Sequence, residues 1–465
     1  MKLHRFFIYA ASALSFLFVS CEDNSKPEDP GKTDEQEISK EAKIKSFKLV
    51  AGNVSIDGKV YEDDKVVEIV YLNEQYAALA AAKAEVTVSD KATITPDPSE
   101  VKDYTADTPV KYTVLAEDGK TSQVYSVELV EATVSVRCEP VWKKTFGDLS
   151  LGNYTMGDCG VAFSGLNIVT FDWQVFDLDG KKIGTVNKEG LPNDKLICMS
   201  NDMYGVLVAS VGVTKDGGVP ENGDAIHHGA IYAWLDGWDK APVKMYENTE
   251  GAVVRYLSVG GDIKNGNFIL NVISPGRGAK QMFHCFAGSK ADFKGWKWSA
   301  FNVNYPTNDG NWSQIVSPAT GDVNGKFFIG DSRSDNAGYI AYARQGVTGE
   351  DVALSGTLWD DSVVAEQDHA GKNQYGNYST GHVRGFNYNG VDYVAVSSSG
   401  WAAGYFTVQP ADSNGDYLVR STVFNVATPF PASAYVFDPA TGDGHLVFMA
   451  ANTDIARYDI TRVIL

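Results

Sequence analysis

Short stretches of alternating apolar and polar residues run through most of this chain. Between residues 42 and 132 they occur at 44–49, 66–71, 84–88, 109–114 and 124–129. An apolar residue at every second position turns one face of a strand towards a core and the other towards water. Asp118-Gly119, between two of these runs, fits a hairpin turn because glycine tolerates a positive φ. The pattern predicts a small antiparallel β-sandwich, interrupted by an Ala-rich stretch at 72–83 that predicts one short helix.

From residue 133 onward, a repeating group of strands predicts the second domain. Each group has an apolar second strand followed by an aromatic-rich third strand. Six groups follow one another at intervals of about 40 to 65 residues, which suits propeller blades with loop insertions. The second strands are at 166–171, 205–210, 268–272, 327–330, 393–397 and 446–450. The sequence therefore predicts an all-β chain in which the sandwich is followed by a six-bladed β-propeller.

A repeated motif and an unpaired strand support this interpretation. Pro-Ala-Thr-Gly-Asp occurs at 318–322 and again at 439–443, each time between a first and a second strand. The last group lacks a fourth strand, whereas residues 139–146 precede the first group with no strand to pair with. We expect residues 139–146 to complete the last blade beside residues 456–461, because closing the ring removes exposed strand edges.

The first 41 residues show no such alternation. Lys2 and Arg5 precede an apolar run at 6–19, and Ser20 and Cys21 close it. This is the order of a secretory signal peptide, and the run is too short for a membrane-spanning helix. The residues that follow are acidic, contain proline and predict a solvated tether. The predicted divisions are a signal peptide at 1–20, a tether at 21–41, the sandwich at 42–132 and the propeller at 133–465.

Signal peptides that end in a cysteine resemble those of bacterial lipoproteins, and the acidic pair Glu22-Asp23 resembles the export signal of Bacteroidetes surface lipoproteins. Residues 112–119, with 125–127 and 92–96, are similar to the immunoglobulin-like domain that follows the tether in many of them. The resemblance implies acylation at Cys21, an outer-membrane anchor and exposure to the cell exterior. It also implies an immunoglobulin-like spacer, and extracellular glycans and outer-membrane importer proteins as partners.

Composition narrows the partners further. The net charge of −19 over 465 residues argues against nucleic acid and anionic membrane surfaces, since both require basic patches. Besides Cys21, the chain has only Cys138, Cys159, Cys198 and Cys285, too few for a disulfide scaffold and without zinc-site spacing. We expect buried thiols, with Cys138–Cys159 as a candidate disulfide, and we predict neither a metal nor a cofactor.

The ligand site is predicted on one face of the propeller, where the inter-blade loops and the loops between second and third strands meet. Aromatic rings stack on the apolar faces of sugars, and polar side chains bond to their hydroxyls. Trp296 and Trp298 are assigned to an inter-blade loop, although packing in an outer strand explains them equally well. The candidate ligand-contact residues are Arg255, Arg277, Trp296, Trp298, Gln314, Arg333, His382, Arg384 and Trp401.

Signals for catalysis are weaker. Asp360-Asp361 with Glu366 could supply paired carboxylates, but a solvated acidic loop accounts for them equally well. His227-His228 is a poor chelate because adjacent side chains of an extended chain point apart. The chain has no G-x-S-x-G, P-loop or H-E-x-x-H motif. We therefore predict non-catalytic binding of an extracellular carbohydrate. The alternatives are a propeller-type glycan hydrolase or lyase, and a structural adhesin without a small-molecule site.

Overall fold

The computed structural model of this protein describes residues 38–154, 160–193, 195–213, 228–247, 257–274, 282–301, 315–330, 332–333, 338–339, 341–354, 358–359, 379–399, 403–412, 416–421, 424–425 and 431–464. The chain divides into two compact units, one ending at Ala132 and the other beginning at Thr133. Both are built almost entirely of β-strands. Among the described residues, no helix is long and apolar enough to cross a membrane.

The first unit is a seven-stranded sheet. Its strands are β1 (Ile44–Ala51), β2 (Val54–Tyr61), β3 (Val66–Tyr71), β4 (Lys83–Val88), β5 (Thr93–Thr95), β6 (Lys111–Leu115) and β7 (Ser122–Glu131). They are arranged in the order β4-β1-β2-β3-β7-β6-β5, and only β3 and β7 pair in parallel. The sheet nearly closes on itself, because the Ala84 amide of β4 donates to the carbonyl of Pro98, which follows β5.

All five strands predicted for this unit are present, as is the helix. The Ala-rich stretch forms α1 (Asn73–Tyr76) and a 3₁₀ helix (Ala77–Ala81). The sequence interpretation missed β2, since Asp57-Gly58 interrupts its alternation, and it missed β5, which has only three residues. Gly58 is needed at this position, because a Cβ there would lie 2.8 Å from side-chain atoms of both Val67 and Ile69 in the core.

The second unit is a six-bladed β-propeller, as predicted. It begins with β8 (Val134–Thr145), and the first three blades follow it in chain order. They are formed by β9 (Val161–Ser164), β10 (Asn167–Thr170), β11 (Gln174–Phe176) and β12 (Lys182–Thr185); by β13 (Leu196–Asn201), β14 (Leu207–Val213), β15 (His228–Trp234) and β16 (Val243–Glu247); and by β17 (Leu257–Gly261), β18 (Asn267–Ser274), β19 (Met282–Ser289) and β20 (Asp292–Phe301).

The fourth region contains a four-stranded blade and three short strands. The strands are β21 (Ile315–Pro318), β22 (Lys326–Gly330), β23 (Ser332–Arg333), β24 (Gly338–Tyr339), β25 (Ala341–Gln345), β26 (Val352–Ala353) and β27 (Leu358–Trp359). The blade consists of β21, β22, β25 and β26, whereas β24 and β27 pair with each other.

The last two blades complete the ring. The fifth is formed by β28 (Ser379–Tyr388), β29 (Val391–Ser399), β30 (Ala403–Pro410), β31 (Val419–Arg420) and β32 (Phe424–Asn425), and the sixth by β33 (Pro431–Phe437), β34 (Gly444–Ala450) and β35 (Asp454–Ile464). The innermost strands of successive blades contact one another in the order β9, β13, β17, β21, β28 and β33, and β33 contacts β9.

The ring closes with the N-terminal strand, as the sequence predicts. β8 is the outermost strand of the sixth blade and pairs antiparallel with β35, Trp142 lying opposite Arg457. The Trp142 indole and the Arg457 guanidinium both donate to the carbonyl of Leu178 in the first blade, over 2.7 and 2.8 Å. These two bonds fasten the last blade to the first.

The prediction of a Cys138–Cys159 disulfide is wrong. Cys138 is a buried free thiol in β8, where burial raises its pKa to about 12. Cys285 is also free and buried, whereas Cys198 is disulfide-bonded. Cys138 does not pair with Cys159, although the two are close along the chain, because β8 belongs to the sixth blade.

Candidate functional site

The innermost strands all run from one end of the central channel, the entry end, to the other, the exit end. The exit end is crossed by residues 201–206, which join β13 to β14 and which we name the closing hairpin. The Met203 amide donates to the Gly261 carbonyl of the third blade, and the Met203 carbonyl accepts from the Phe437 amide of the sixth. Gly165 of the first blade donates to the Gly205 carbonyl over 2.7 Å. The closing hairpin thus bonds to three other blades.

Two side chains hold the closing hairpin in place. The amide of Asn201 donates to the carbonyls of Asp202 and Tyr435, over 2.7 and 2.6 Å, and its oxygen accepts from the Phe163 amide over 2.9 Å. Asn201 therefore joins the second blade to the first and the sixth. Every polar atom of its side chain is hydrogen-bonded.

Asp202 is fully buried beside it. One carboxylate oxygen accepts from the amides of Tyr204 and Val206, and the other accepts from the Ile263 amide of the third blade, over 2.8 to 3.0 Å. Burial raises its pKa to about 6, although the three amide donors act in the opposite direction. Both carboxylate oxygens thus accept hydrogen bonds from backbone amides at the exit end.

Gly205 allows the closing hairpin to approach the first blade. Its φ is +81°, and a Cβ at this position would lie 2.4 Å from the Gly165 carbonyl oxygen. Any other residue would push the hairpin away from the first blade. The exit end is thus built as a closed structural element.

A second group of buried polar residues lies between the fifth and sixth blades. His382 and Arg384 occupy alternate positions of β28, so their side chains share the face that meets β33. The His382 Nδ1 lies 3.1 Å from the Ser433 Oγ, and the Arg384 Nε donates to the Ser433 carbonyl over 3.1 Å. Both side chains are buried, and burial lowers the pKa of Arg384 to about 10, so the guanidinium remains charged at neutral pH.

Two hydroxyls complete this group, which we name the polar seam. It consists of His382, Arg384, Ser397, Ser433 and Tyr435. Ser397 lies opposite His382 in the sheet of the fifth blade. The Ser397 and Tyr435 hydroxyl oxygens are buried, and neither has a hydrogen-bond partner among the described residues. Burial raises the pKa of Tyr435, so the phenol stays protonated. Buried polar atoms without partners are rare in proteins and require an explanation.

The predicted ligand-contact residues fall into three groups. His382 and Arg384 are in the polar seam, and Arg333 belongs to β23, which pairs with the first residues of β28. These three predicted residues therefore lie on neighbouring strands near the entry end. Arg255, Arg277, Gln314 and Trp401 lie outside the described residues, as does Cys21.

Trp296 and Trp298 lie in β20, the outermost strand of the third blade, so their assignment to an inter-blade loop is wrong. Trp298 is opposite Phe286 of β19. The alternation Trp296-Lys297-Trp298 is itself a strand pattern, and it outweighs the polar residues that follow it. The outer-strand alternative was the correct assignment for these two residues.

The sequence interpretation missed Asn201, Asp202, Ser397 and Tyr435. A signal existed for the first two, because Asn201-Asp202 ends the apolar run of β13 where a hairpin begins. No cluster of three or more His, Cys, Asp or Glu that could hold a metal occurs among the described residues.

Comparisons with known proteins bear on the first unit and on the whole chain. Residues 44–129 match a family model described as a domain of unknown function, DUF8499. This match covers the seven-stranded unit. Among curated proteins, no sequence matches the chain.

Three solved structures are similar to this chain in a comparison of structures. A DUF4623 family protein from Bacteroides eggerthii is 12% identical, with 90% of this chain and 99% of that chain covered and a TM-score of 0.45. A GH43 β-xylosidase/α-arabinofuranosidase from a compost microbial metagenome, in complex with xylotriose, is 11% identical, with 57% and 90% covered and a TM-score of 0.32. A GH43_1 enzyme from Xanthomonas citri is 9% identical, with 57% and 87% covered and a TM-score of 0.31. At these values the likenesses assign no function to this chain.

Proposed function

We propose that this protein is a lipid-anchored surface protein that binds an extracellular carbohydrate and does not transform it. The observation that carries the proposal is the polar seam, which places a buried guanidinium and two hydroxyls with no partner among the described residues between the fifth and sixth blades. His382 and Ser433 lie in the first halves of β28 and β33, near the entry end. These two residues of the seam therefore lie in the half of the channel nearer the entry end.

The chemistry of the polar seam suits a sugar. A sugar hydroxyl can both donate and accept hydrogen bonds, and the Ser397 and Tyr435 hydroxyls can do the same. The Arg384 guanidinium offers several donors in a fixed plane. A ligand with several hydroxyls could pair with the Ser397 and Tyr435 hydroxyls together, whereas an apolar ligand would leave these two hydroxyls unpaired at a cost of about 1–3 kcal/mol each.

The carboxylates that the sequence offers for catalysis, Asp360, Asp361 and Glu366, lie outside the described residues. Glycosidases require two carboxyl groups that face the scissile bond from opposite sides. The fully buried Asp202 accepts three backbone hydrogen bonds in the closing hairpin, at the exit end. Its role is structural, and the proposal assigns no catalytic residue.

The N-terminal part of the chain carries the rest of the proposal. Cys21 would be acylated and hold the protein in the outer membrane, and residues 22–41 would form the tether. The seven-stranded unit would be an immunoglobulin-like spacer that lifts the propeller towards glycans and importer proteins at the cell exterior. Replacing Cys21 with Ser should abolish palmitate labelling and release the protein from the membrane fraction. Labelling that persists in the Ser variant would contradict the anchor.

A glycan array with the purified full chain tests the binding function. We expect retention of a carbohydrate without turnover, and binding of a neutral glycan should depend little on salt. Arg384→Met should weaken that binding, and Arg420→Met, on the outer strand β31, serves as the control. Release of shorter products would favour the hydrolase or lyase alternative. Absence of binding to any glycan would favour the adhesin alternative.

A further inference from the structure

A small cavity lies between the fifth and sixth blades, outward of the polar seam. Phe406 is opposite Ser397 in the fifth blade, and Phe448 is opposite Ser433 in the sixth. The two phenyl rings stack with centroids 3.9 Å apart, and the Tyr458 ring meets both edge to face, at 5.0 and 5.7 Å. This aromatic group forms one wall of the cavity, which we name the outer cleft.

The rim of the outer cleft is polar but balanced in charge. Lys143 of β8 forms an ion pair with Asp454 of β35 over 2.8 Å, and the Lys143 side chain is 60% exposed. Ser421 completes the rim; its oxygen accepts from the Phe406 amide over 2.9 Å, and its proton has no acceptor within the part of the chain that the structure describes. The rim therefore offers donors and a carboxylate acceptor side by side. A charged group would compete with one member of the existing ion pair.

The size of the outer cleft limits what can enter it. Its volume is about 60 Å³. Because one water requires roughly 10–15 Å³ of such space, the cleft accommodates about four to six non-hydrogen atoms. This is a substituent of a sugar rather than a sugar ring.

We propose that the outer cleft binds the acetamido group of an N-acetylated glycan. The methyl would pack against Phe406, Phe448 and the buried Ala450, the carbonyl would accept from Lys143 or Ser421, and the N–H would donate to Asp454. An acetamido group has four non-hydrogen atoms, which fit the volume of the cleft. Its apolar end, its acceptor and its donor match, in turn, the apolar wall, the donors on the rim and the Asp454 carboxylate. An acetyl ester has no N–H and would make no hydrogen bond to the Asp454 carboxylate.

This inference rests on the proposed carbohydrate binding, and paired probes separate the two. Chitotriose and cellotriose differ only by acetamido in place of hydroxyl groups. We expect the full chain to prefer chitotriose by about tenfold or more, which is the discrimination a small apolar pocket gives. Saturation transfer from the protein should be strongest at the acetyl methyl. Retention of other glycans without any N-acetyl preference would overturn the inference and leave the proposed function intact, whereas retention of no glycan would overturn both.

Variants of the cleft make the test specific. Ala450→Leu fills the cleft and should abolish the preference for chitotriose, while Asp454→Asn keeps the volume and should reduce it. Matched controls come from a second cleft, between the fourth and fifth blades, where Ala411 is equally buried and Lys326 pairs with Asp412 over 2.7 Å. Ala411→Leu and Lys326→Met should leave the preference unchanged. A preference that survives both Ala450→Leu and Asp454→Asn would place the acetamido group elsewhere.

Discussion

The closing hairpin and the polar seam are both buried and polar, yet they differ in how their polar atoms are paired. In the closing hairpin, each polar side-chain atom of Asn201 and Asp202 is hydrogen-bonded to the backbone of this or a neighbouring blade. In the polar seam, the hydroxyls of Ser397 and Tyr435 have no partner among the described residues. Satisfied polar groups stabilise a fold, whereas unsatisfied ones reduce stability and are retained for another reason.

Tyr435 belongs to both regions and shows the difference within one residue. Its carbonyl accepts from Asn201 of the closing hairpin over 2.6 Å. Its hydroxyl lies in the polar seam, beside the charge of Arg384. The backbone of this residue is thus hydrogen-bonded within the fold, whereas its buried hydroxyl has no partner among the described residues.

The largest expected effect is on the closing hairpin. Asn201→Leu removes three hydrogen bonds and leaves the Phe163 amide and the Tyr435 carbonyl buried without partners. We expect the free energy of unfolding to fall by about 2–5 kcal/mol, measured by urea denaturation of the propeller. Asn167→Leu is a matched control, because the Asn167 amide makes only one bond, to the Ser164 carbonyl over 3.2 Å, and should cost less than about 1 kcal/mol. Equal effects of the two changes would contradict the structural role of the hairpin.

The second effect is a pH dependence of the same region. The pKa of Asp202 is about 6 in the folded chain and 3.8 for the free side chain, so between these values only the folded state keeps the proton. In this pH range unfolding therefore releases a proton. The contribution of Asp202 to the free energy of unfolding is complete below pH 3.8 and is lost as the pH rises through 6. This loss amounts to about 3 kcal/mol.

Asp202→Asn isolates this contribution from the other carboxylates. The difference in stability between the native chain and the variant should shrink by about 3 kcal/mol between pH 3.5 and pH 7. Parallel urea denaturation series at several pH values measure it. A difference that grows with pH would mean that the three amide donors outweigh burial and favour the ionised carboxylate.

The sequence predicts those features of the two regions that depend on residues close together along the chain. It does not predict those that depend on residues far apart. The strands of the propeller, the short helix and the pairing of β8 with β35 were predictable, because alternation and an unpaired strand are local features of the chain. The position of His382 and Arg384 on an inner strand was predictable for the same reason. Their burial against Ser433 was not, since it depends on a blade about 50 residues away.

The missed and wrong assignments have physical causes as well. The closing hairpin depends on hydrogen bonds from Asn201 to Tyr435, which is 234 positions away. Trp296 and Trp298 were assigned to a loop because the polar residues after them were given more weight than their alternation. The Cys138–Cys159 disulfide was wrong because Cys138 lies in β8, which pairs with β35 in the sixth blade and buries the free thiol.

The smallest expected effect is a gain in stability within the polar seam. Tyr435→Phe removes a buried hydroxyl that has no partner among the described residues, and leaves the ring packing with Phe386 at 5.1 Å unchanged. We expect the free energy of unfolding to rise by about 1 kcal/mol, because the desolvation cost of the hydroxyl disappears. Tyr112→Phe in the first unit should have the opposite sign, since the Tyr112 hydroxyl is hydrogen-bonded to that of Tyr104 at 2.6 Å. If the seam holds a sugar, Tyr435→Phe should weaken glycan binding while it stabilises the protein, which is the trade-off expected at a binding site. A variant that is less stable than the native chain would show that the hydroxyl is satisfied within the fold, and the contrast between the seam and the closing hairpin would then disappear.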